Sequence, residues 1–329
     1  MIYVQTHSTD PTWNLAVEEY CQKQLTQFDE IFMLWQNDNS IIVGRYQNMA
    51  REINIEAARR LNVKVVRRST GGGTVYHDLG NLNFSYIVPC TNPEELNLKK
   101  LSQPIMKAMN SMGINAEISG RNDLTLNGKK ISGTAQSLVK KRFLHHGTLL
   151  FDSNLNVLQE VLNVDQTKLV SKGISSVKSR VTNIKAELGL EMDIKEFWSG
   201  LKQGLDIVGE YKLSGEDINE IRKIQQEKYA AWDWNIGKEP PFAFKTEKRY
   251  TAGLLTLKYN VEKGQIKNCA VSGDFLGLAD IGEFEAAIDG VSFEPEAVRK
   301  VLDNIDTAMY LGGITKDEFV DCMFGETVV

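Results

Sequence analysis

Three consecutive glycines sit inside Arg67-Arg68-Ser69-Thr70-Gly71-Gly72-Gly73-Thr74-Val75-Tyr76-His77-Asp78, between two stretches that read as strands. Such a run weakens strand pairing, so it points to a place where bare backbone is needed against a ligand. Amides in a glycine-rich turn can converge on an anion, and the neighbouring guanidinium groups add charge and forked donors suited to phosphate or carboxylate. Neither the spacing of a Walker loop nor that of a dinucleotide-binding glycine motif is present. The plain alternative is a hairpin tip with two solvated arginines.

A second group is Gly120-Arg121-Asn122-Asp123-Leu124 with Lys129-Lys130-Ile131-Ser132-Gly133-Thr134-Ala135, joined through Asn127-Gly128, the strongest short hairpin signal. Strand alternation sends Lys130 and Ser132 to one face and Ile131 to the other, and Gly133 leaves room beside the lysine. A lysine aimed into a cleft can hold a carboxylate and stabilise charge while an acyl phosphate forms and breaks; otherwise it is a solvated edge lysine. Asp123 is a candidate magnesium ligand or a hairpin cap. His145 and His146 are adjacent on the apolar stretch Leu144–Leu150, so they face opposite sides and cannot share a metal. One is expected to face a pocket, with His77 as a second polar wall, although a structural core histidine explains the same spacing. Finally, Lys172-Gly173-Ile174-Ser175-Ser176-Val177-Lys178-Ser179-Arg180-Val181-Thr182-Asn183 mixes basic residues with serines and reads either as a loop that closes over phosphate or as a surface linker.

These groups need a scaffold. A length of 329 residues, 42% hydrophobic and 25% charged, is the profile of a folded protein, and it exceeds what one core usually serves, so two domains are expected. The net charge of -5, from 38 Lys+Arg against 43 Asp+Glu, leaves no global basic field, and nucleic acid is not expected as the main partner. Met1-Ile2-Tyr3-Val4-Gln5 does not begin a secretory signal, and no run approaches the roughly 18 apolar residues of a membrane span; a cytoplasmic protein with no membrane partner is expected. Cys21, Cys90, Cys269 and Cys322 stand singly and read as buried small hydrophobes rather than a disulfide framework or zinc cage.

The pattern predicts helices over 12–26, 54–61, 93–112, 154–163, 193–209 and 215–231. Ile31–Trp35 and Ser40–Gly44, split by Asn37-Asp38-Asn39, read as a strand hairpin; Val63–Arg67 and Phe143–Phe151 read as further strands. Asn81–Val88 alternates polar and apolar residues as a half-buried strand would. Gly237 with Pro240-Pro241 breaks the pattern and places a boundary between 235 and 250, before strands at Tyr250–Tyr259 and Ile266–Val271 and helices at 283–289, 294–303 and 315–323. The class is α+β with a largely antiparallel sheet.

In order and spacing, the four chemistry-bearing segments resemble the lipoate–protein ligase family. The likeness includes Trp13-Asn14-Leu15-Ala16-Val17-Glu18-Glu19 and Trp232-Asp233-Trp234-Asn235 and covers essentially the whole chain, most strongly 10–185. It implies a large catalytic domain over 1–240, with mixed, mostly antiparallel sheets flanked by helices and shared with biotin–protein ligases and octanoyltransferases. A small α+β accessory domain over 241–329 would follow. It also implies ATP-dependent conversion of lipoate to lipoyl-AMP, with magnesium accompanying ATP and no tightly bound organic cofactor. The acyl group would then pass to one lysine of an acceptor domain, on a 2-oxoacid dehydrogenase E2 subunit or glycine-cleavage H protein, with octanoate as an alternative cargo to lipoic acid.

By matching position, the resemblance makes Lys130 the lysine that contacts the lipoyl carboxylate and the adenylate. Arg68, Gly73, Thr74, Val75, Tyr76 and Asp123 fall on the nucleotide side, with Asp123 also the magnesium ligand. Leu15, Arg68, Gly72, His77 and His146 fall on the lipoate side, and Lys172, Gly173, Ser175 and Ser176 on an adenylate-binding loop. The chemistry agrees with that assignment. A carboxylate is a poor electrophile, its mixed anhydride with AMP supplies the leaving group, and no enzyme nucleophile is then required. Lys130 and the amides of Gly72 and Gly73 need only orient two anions and spread charge. For the incoming lysine no base stands out beyond Asp123. Two other readings compete: an octanoyl or lipoyl transferase working through a cysteine thioester, for which Cys90 is the cysteine to test, and a non-catalytic binder of lipoylated domains.

Overall fold

The computed structural model describes residues 1–47, 52–92, 97–120, 122–162, 181–235 and 244–324. They form two compact units: Met1–Val43 with Ala50–Arg67 and Thr74–Asn235, and Gly44–Met49 with Arg68–Gly73 and Ile236–Val329.

The first unit contains strands β1 (Ile2–Val4), β2 (Ile31–Trp35), β3 (Ser40–Val43), β4 (Lys64–Arg67), β5 (Val75–His77), β6 (Asn81–Pro89), β7 (Glu117–Ser119), β8 (Asp123–Leu126), β9 (Lys129–Val139), β10 (Arg142–Leu150) and β11 (Gly209–Tyr211). Eight of them make one sheet in the order β11-β1-β2-β6-β10-β9-β8-β7, parallel along β11-β1-β2 and antiparallel elsewhere. The other three make a small sheet in the order β4-β3-β5.

That topology corrects one expectation. Ile31–Trp35 and Ser40–Val43 are not a hairpin, because β2 pairs with β1 and β6 whereas β3 pairs with β4 and β5. The intervening Asn37 is wholly buried, and its amide bonds to Asn14 and His77 instead of shaping a turn. The Asn127-Gly128 hairpin forms as its turn chemistry requires. Asn127 and Gly128 take φ of 52° and 77°, both in the left-handed region, and Leu126 pairs with Lys129 across the turn.

Helix Pro11–Lys23 starts with Asp10 accepting from the Thr12 amide and with proline at its first turn. It is buried all round from Asn14 to Gln22, and its polar residues each find partners inside. Asn14 bonds to Asn37, Glu18 to Ser85, Glu19 to Tyr229, and Gln22 to Ser137. Leu15, Ala16 and Val17 share one apolar core with Trp35, Ile42, Val66, Ile87 and Leu144, which draws both sheets onto this helix. Helices Ile55–Arg60, Leu98–Ser111, Leu155–Val161, Ile184–Leu188, Ile194–Gly204 and Gly215–Ile224 cover the faces, the last running into a π-turn over Gln225–Tyr229. Residues 93–96, the predicted start of the 93–112 helix, lie outside the described residues.

A second correction concerns β6, expected to be half-buried. Asn81 through Val88 are all buried, so its polar face, Asn81, Asn83 and Ser85, lies inside the protein as well. Alternation shows that two faces differ; it cannot show that the polar one is also covered.

In the second unit β12 (Phe244–Tyr250), β13 (Gly253–Glu262) and β14 (Gln265–Gly273) form an antiparallel meander, with helices Ile281–Ile288, Pro295–Leu302, Thr307–Leu311 and Lys316–Phe324. Leu255, Leu257, Tyr259, Phe284 and Phe319 lie in its core. Strand β12 begins inside the stretch read as the boundary, because Phe244 stacks on Tyr259 at 5.5 Å and on Phe293 at 6.2 Å. Two distant segments of sequence join this unit. Tyr46 stacks on Phe275 at 5.0 Å, the Gly273 amide bonds to Tyr46 O, and the Gly72 amide bonds to Phe275 O at 2.9 Å.

Candidate active site

Lys130 lies where β9 departs from regular pairing. Leu124 faces Ser132 and Thr125 faces Lys130, so Ile131 is an extra residue, and such bulges re-aim side chains. The Lys130 ammonium reaches Asp123 Oδ1 at 2.7 Å, with the lysine side chain 34% exposed. It passes over Gly133, where a β-carbon would sit 3.2 Å from Lys130 Nζ. The glycine therefore provides the room the sequence pattern assigns to it. Lys129 instead pairs with Glu187 at 2.9 Å on the surface. The Lys130 carbonyl accepts from the Thr182 amide at 2.9 Å, near the end of the basic segment; Lys172, Gly173, Ser175 and Ser176 themselves lie outside the described residues, as does Arg121.

From this pair a polar row runs inward along the same sheet face. The Gly133 amide donates to Thr148 Oγ1 at 3.2 Å. Thr148 is paired with Asn83, and two residues along, His146 is paired with Ser85. Glu18, 1% exposed on the first helix, closes the row: its Oε1 accepts from Ser85 Oγ at 2.5 Å and from His146 Nδ1 at 2.8 Å. Trp35 Nε1 donates to the same serine at 2.8 Å. Glu18 Oε2, Asn81 Oδ1 and Asn83 Nδ2 are buried without a partner among the described residues, so polar capacity is left over along this row. His77 stands beside it, edge-on to Trp35 at 6.2 Å, with Nδ1 accepting from Asn37 Nδ2 at 3.0 Å.

The two adjacent histidines face opposite sides, as strand geometry demands. His145 is fully buried against Ser102 and Gln136, and burial, helped by neighbouring His146, pushes its imidazole down to about 3, so it stays neutral. On β5, Val75 and His77 share one face, Val75 packing against the core that contains Leu15. Tyr76 takes the other face, donating to Asn39 Oδ1 at 2.9 Å, with burial raising its phenol to about 12.

The glycine-rich segment belongs to the second unit. It is not a hairpin tip, since β4 and β5 flank β3 rather than pairing with each other. The arginines are not solvated either. Arg68 is 5% exposed; its Nε donates to Thr70 Oγ1 at 2.9 Å and its Nη2 to Gly71 O and Gly73 O at 2.6 and 2.8 Å. Arg67 is held by Trp234 and Asn235. The Gly72 amide is engaged by Phe275 O, whereas Gly73 has open space where a side chain would stand.

Glu18, Asn83 and Ser85 do not stand out as functional residues in the sequence. Their signal was present as three polar residues at every second position of a strand and a carboxylate amid Leu15, Ala16 and Val17, but nothing local says that these surfaces meet.

Residues 10–206 match the family profile described as the lipoyl protein ligase A/B catalytic domain, and residues 239–323 match that of the bacterial lipoate protein ligase C-terminus. The chain belongs to the lipoate–protein ligase family. It is 41% identical over 331 residues to lipoate-protein ligase LplJ of Bacillus subtilis (strain 168), covering 98% of this chain and 100% of that protein. The crystal structure of P. falciparum LipL1 in complex with lipoate is 28% identical, with a TM-score of 0.79 over 93% of this chain and 94% of that one. A lipoate-protein ligase A bound with ATP is 25% identical, with a TM-score of 0.59 over 72% of this chain and 99% of that one.

For a lipoate–protein ligase, two chemical points follow. No group of three or more His, Cys, Asp or Glu side chains that could hold a metal occurs among the described residues. Asp123 belongs to no such group. All four cysteines are buried and none is in a disulfide. Burial raises the thiols of Cys269 and Cys322 to about 12 and about 11, and raises Cys21 as well, the opposite of what a thiolate nucleophile needs.

Proposed function

We propose that the protein is an AMP-forming lipoate–protein ligase that activates lipoate with magnesium–ATP and delivers it to one lysine of an acceptor domain. The observation that carries this reading is the Lys130 ammonium held by Asp123 at 2.7 Å above Gly133, in a chain that matches both family profiles. An ammonium at the open end of a polar row can exchange Asp123 for the lipoate carboxylate, then neutralise charge as the mixed anhydride forms. Asp123, once released, would be the carboxylate to ligate magnesium brought by the nucleotide.

In this reading Arg68, Gly73, Thr74, Val75 and Tyr76 serve the nucleotide, and Leu15, Gly72, His77 and His146 serve the acyl group. The segment holding Lys172, Gly173, Ser175 and Ser176 covers the adenylate. Residues 1–240 carry activation and 241–329 act as an accessory domain. Acceptors are the lipoyl domains of E2 subunits and H protein, octanoate is a second cargo, and the reaction takes place in the cytoplasm. Among the described residues no helix is long and apolar enough to cross a membrane.

The test is intact-mass and peptide analysis of a purified acceptor domain incubated with the protein, magnesium–ATP and lipoate, octanoate or biotin in parallel. One lipoyl group on one lysine, dependent on ATP, is expected. Biotin transfer, or acylation by lipoate without ATP, would overturn the proposal. Cys90→Ser should keep ligation within about twofold of wild type, because an adenylate needs no enzyme thiol; an inactive variant would revive the thioester route.

A further inference from the structure

We infer that Trp234 and Asn235 form a positioning latch on Arg67 that fixes where the glycine-rich segment leaves the small sheet. The inference rests on the proposed ligase reading, in which Arg68 and the glycines after it contact substrate.

Strand β4 is an edge of its sheet, so the outer main-chain groups of Arg67 take their partners from outside the sheet. The dipeptide supplies both. Asn235 Oδ1 accepts from the Arg67 amide at 2.8 Å, and Trp234 Nε1 donates to the Arg67 carbonyl at 2.8 Å. The guanidinium closes the ring from the other side: its Nε donates to Trp234 O and its Nη2 to Asn235 O, each at 3.1 Å. Four hydrogen bonds, two of them from a charged donor, therefore converge on the residue immediately before Arg68. Water would satisfy an exposed strand edge equally well, so what the dipeptide adds is a fixed position.

The latch is itself anchored. Asn235 Nδ2 donates to Tyr229 O at 2.8 Å and Ala231 O at 3.1 Å, and the Trp234 ring stands edge-on to Tyr229 at 6.2 Å with the Lys228 ammonium 4.2 Å from its centroid. Lys228 and Tyr229, in the π-turn, both bond to Glu19 Oε2, at 2.6 and 2.5 Å. Glu19 is buried on the first helix, one residue from Glu18. The helix that bears the inner end of the polar row thus also sets the root of the glycine-rich segment, through side chains more than 200 residues away in sequence. Misplacing a binding group by about 1 Å is enough to impair a reaction that depends on orientation.

Trp234→Phe removes one donor and keeps an aromatic ring; Arg67→Lys removes the fork and keeps the main chain. Both are tested by lipoate-dependent ATP–pyrophosphate exchange, with active sites titrated by single-turnover adenylate formation. Each variant should raise KM for ATP and for lipoate by about 3- to 10-fold at an unchanged titrated fraction, the scale of one hydrogen bond. The double variant should be less than multiplicative, because both changes act on one residue. A lower titrated fraction with both KM values unchanged would make the dipeptide merely structural and overturn the latch, as would two variants kinetically identical to wild type. Absence of exchange in the wild-type protein would sink the ligase reading instead.

Discussion

Lys130→Ala is expected to lower lipoate-dependent ATP–pyrophosphate exchange by at least about 100-fold, the loss typical of removing one preorganised transition-state donor. The side chain is one-third exposed and pairs with Asp123, so its removal opens no cavity in the core, and melting should stay close to wild type. Two effects combine in the variant. The cation that would sit against two anions is gone, and the Asp123 carboxylate is left there as a negative charge that repels them. Lys129→Ala is the matched control, since that lysine pairs with Glu187 on the surface and should exchange at the wild-type rate. Exchange that survived Lys130→Ala within a few-fold, or that fell equally in the control, would remove Lys130 from the reaction.

A large loss of stability is expected at a different point of the same sheet. A β-carbon on Gly80 would lie 2.1 Å from Asp152 O and 2.7 Å from Ser153 N, both backbone atoms that no side-chain rotation can move. The approach is held closed by hydrogen bonds from the Phe151 and Asp152 amides to Gly80 O, and by Asp78, whose carboxylate takes the amides of Gly80 and Asn154. Gly80→Ala must therefore separate the start of β6 from the end of β10, at a cost of about 2–3 kcal/mol. For a unit of this size that corresponds to a fall of about 5–10 °C in melting temperature. Gly215→Ala, where a β-carbon meets open space, should leave melting unchanged. Equal melting of the two variants would show that the close approach is relieved at little cost. Because Asn81, Asn83 and Ser85 follow on the same strand, Gly80→Ala should also slow adenylate formation.

Several features were legible along the chain because their causes are local. Asn127-Gly128 demands a left-handed turn wherever it stands, and that pairs β8 with β9, although it takes the extra residue at Ile131 to bring Asp123 opposite Gly133. The first helix, read over 12–26, spans Pro11–Lys23, and cysteines standing singly in the sequence read as small buried hydrophobes. The spacing of the glycine, lysine and histidine segments carried the family resemblance, and the family profiles agree with it.

Other features depend on residues far apart in sequence. Ile31–Trp35 and Ser40–Val43 are neighbours along the chain, yet they enter different sheets, because their partners are β6 in one case and β4 and β5 in the other. Whether an arginine in a glycine-rich segment faces a ligand or its own backbone is likewise undecided by type. In this structure Arg68 is folded onto Gly71 O and Gly73 O, and Arg67 onto a dipeptide 167 and 168 residues later.

The amino-acid sequence alone determined which chemical groups this protein carries, where its tight turn and first helix fall, and which family its motifs resemble, since each of these is set by residue type and short spacing. Only the tertiary structure decided that Lys130 rather than Lys129 holds Asp123, that a row of polar side chains is buried from Thr148 to Glu18, and that the glycine-rich segment starts from a latched residue. Those outcomes depend on which surfaces cover one another, and burial is a property of the packed whole that no window of sequence contains.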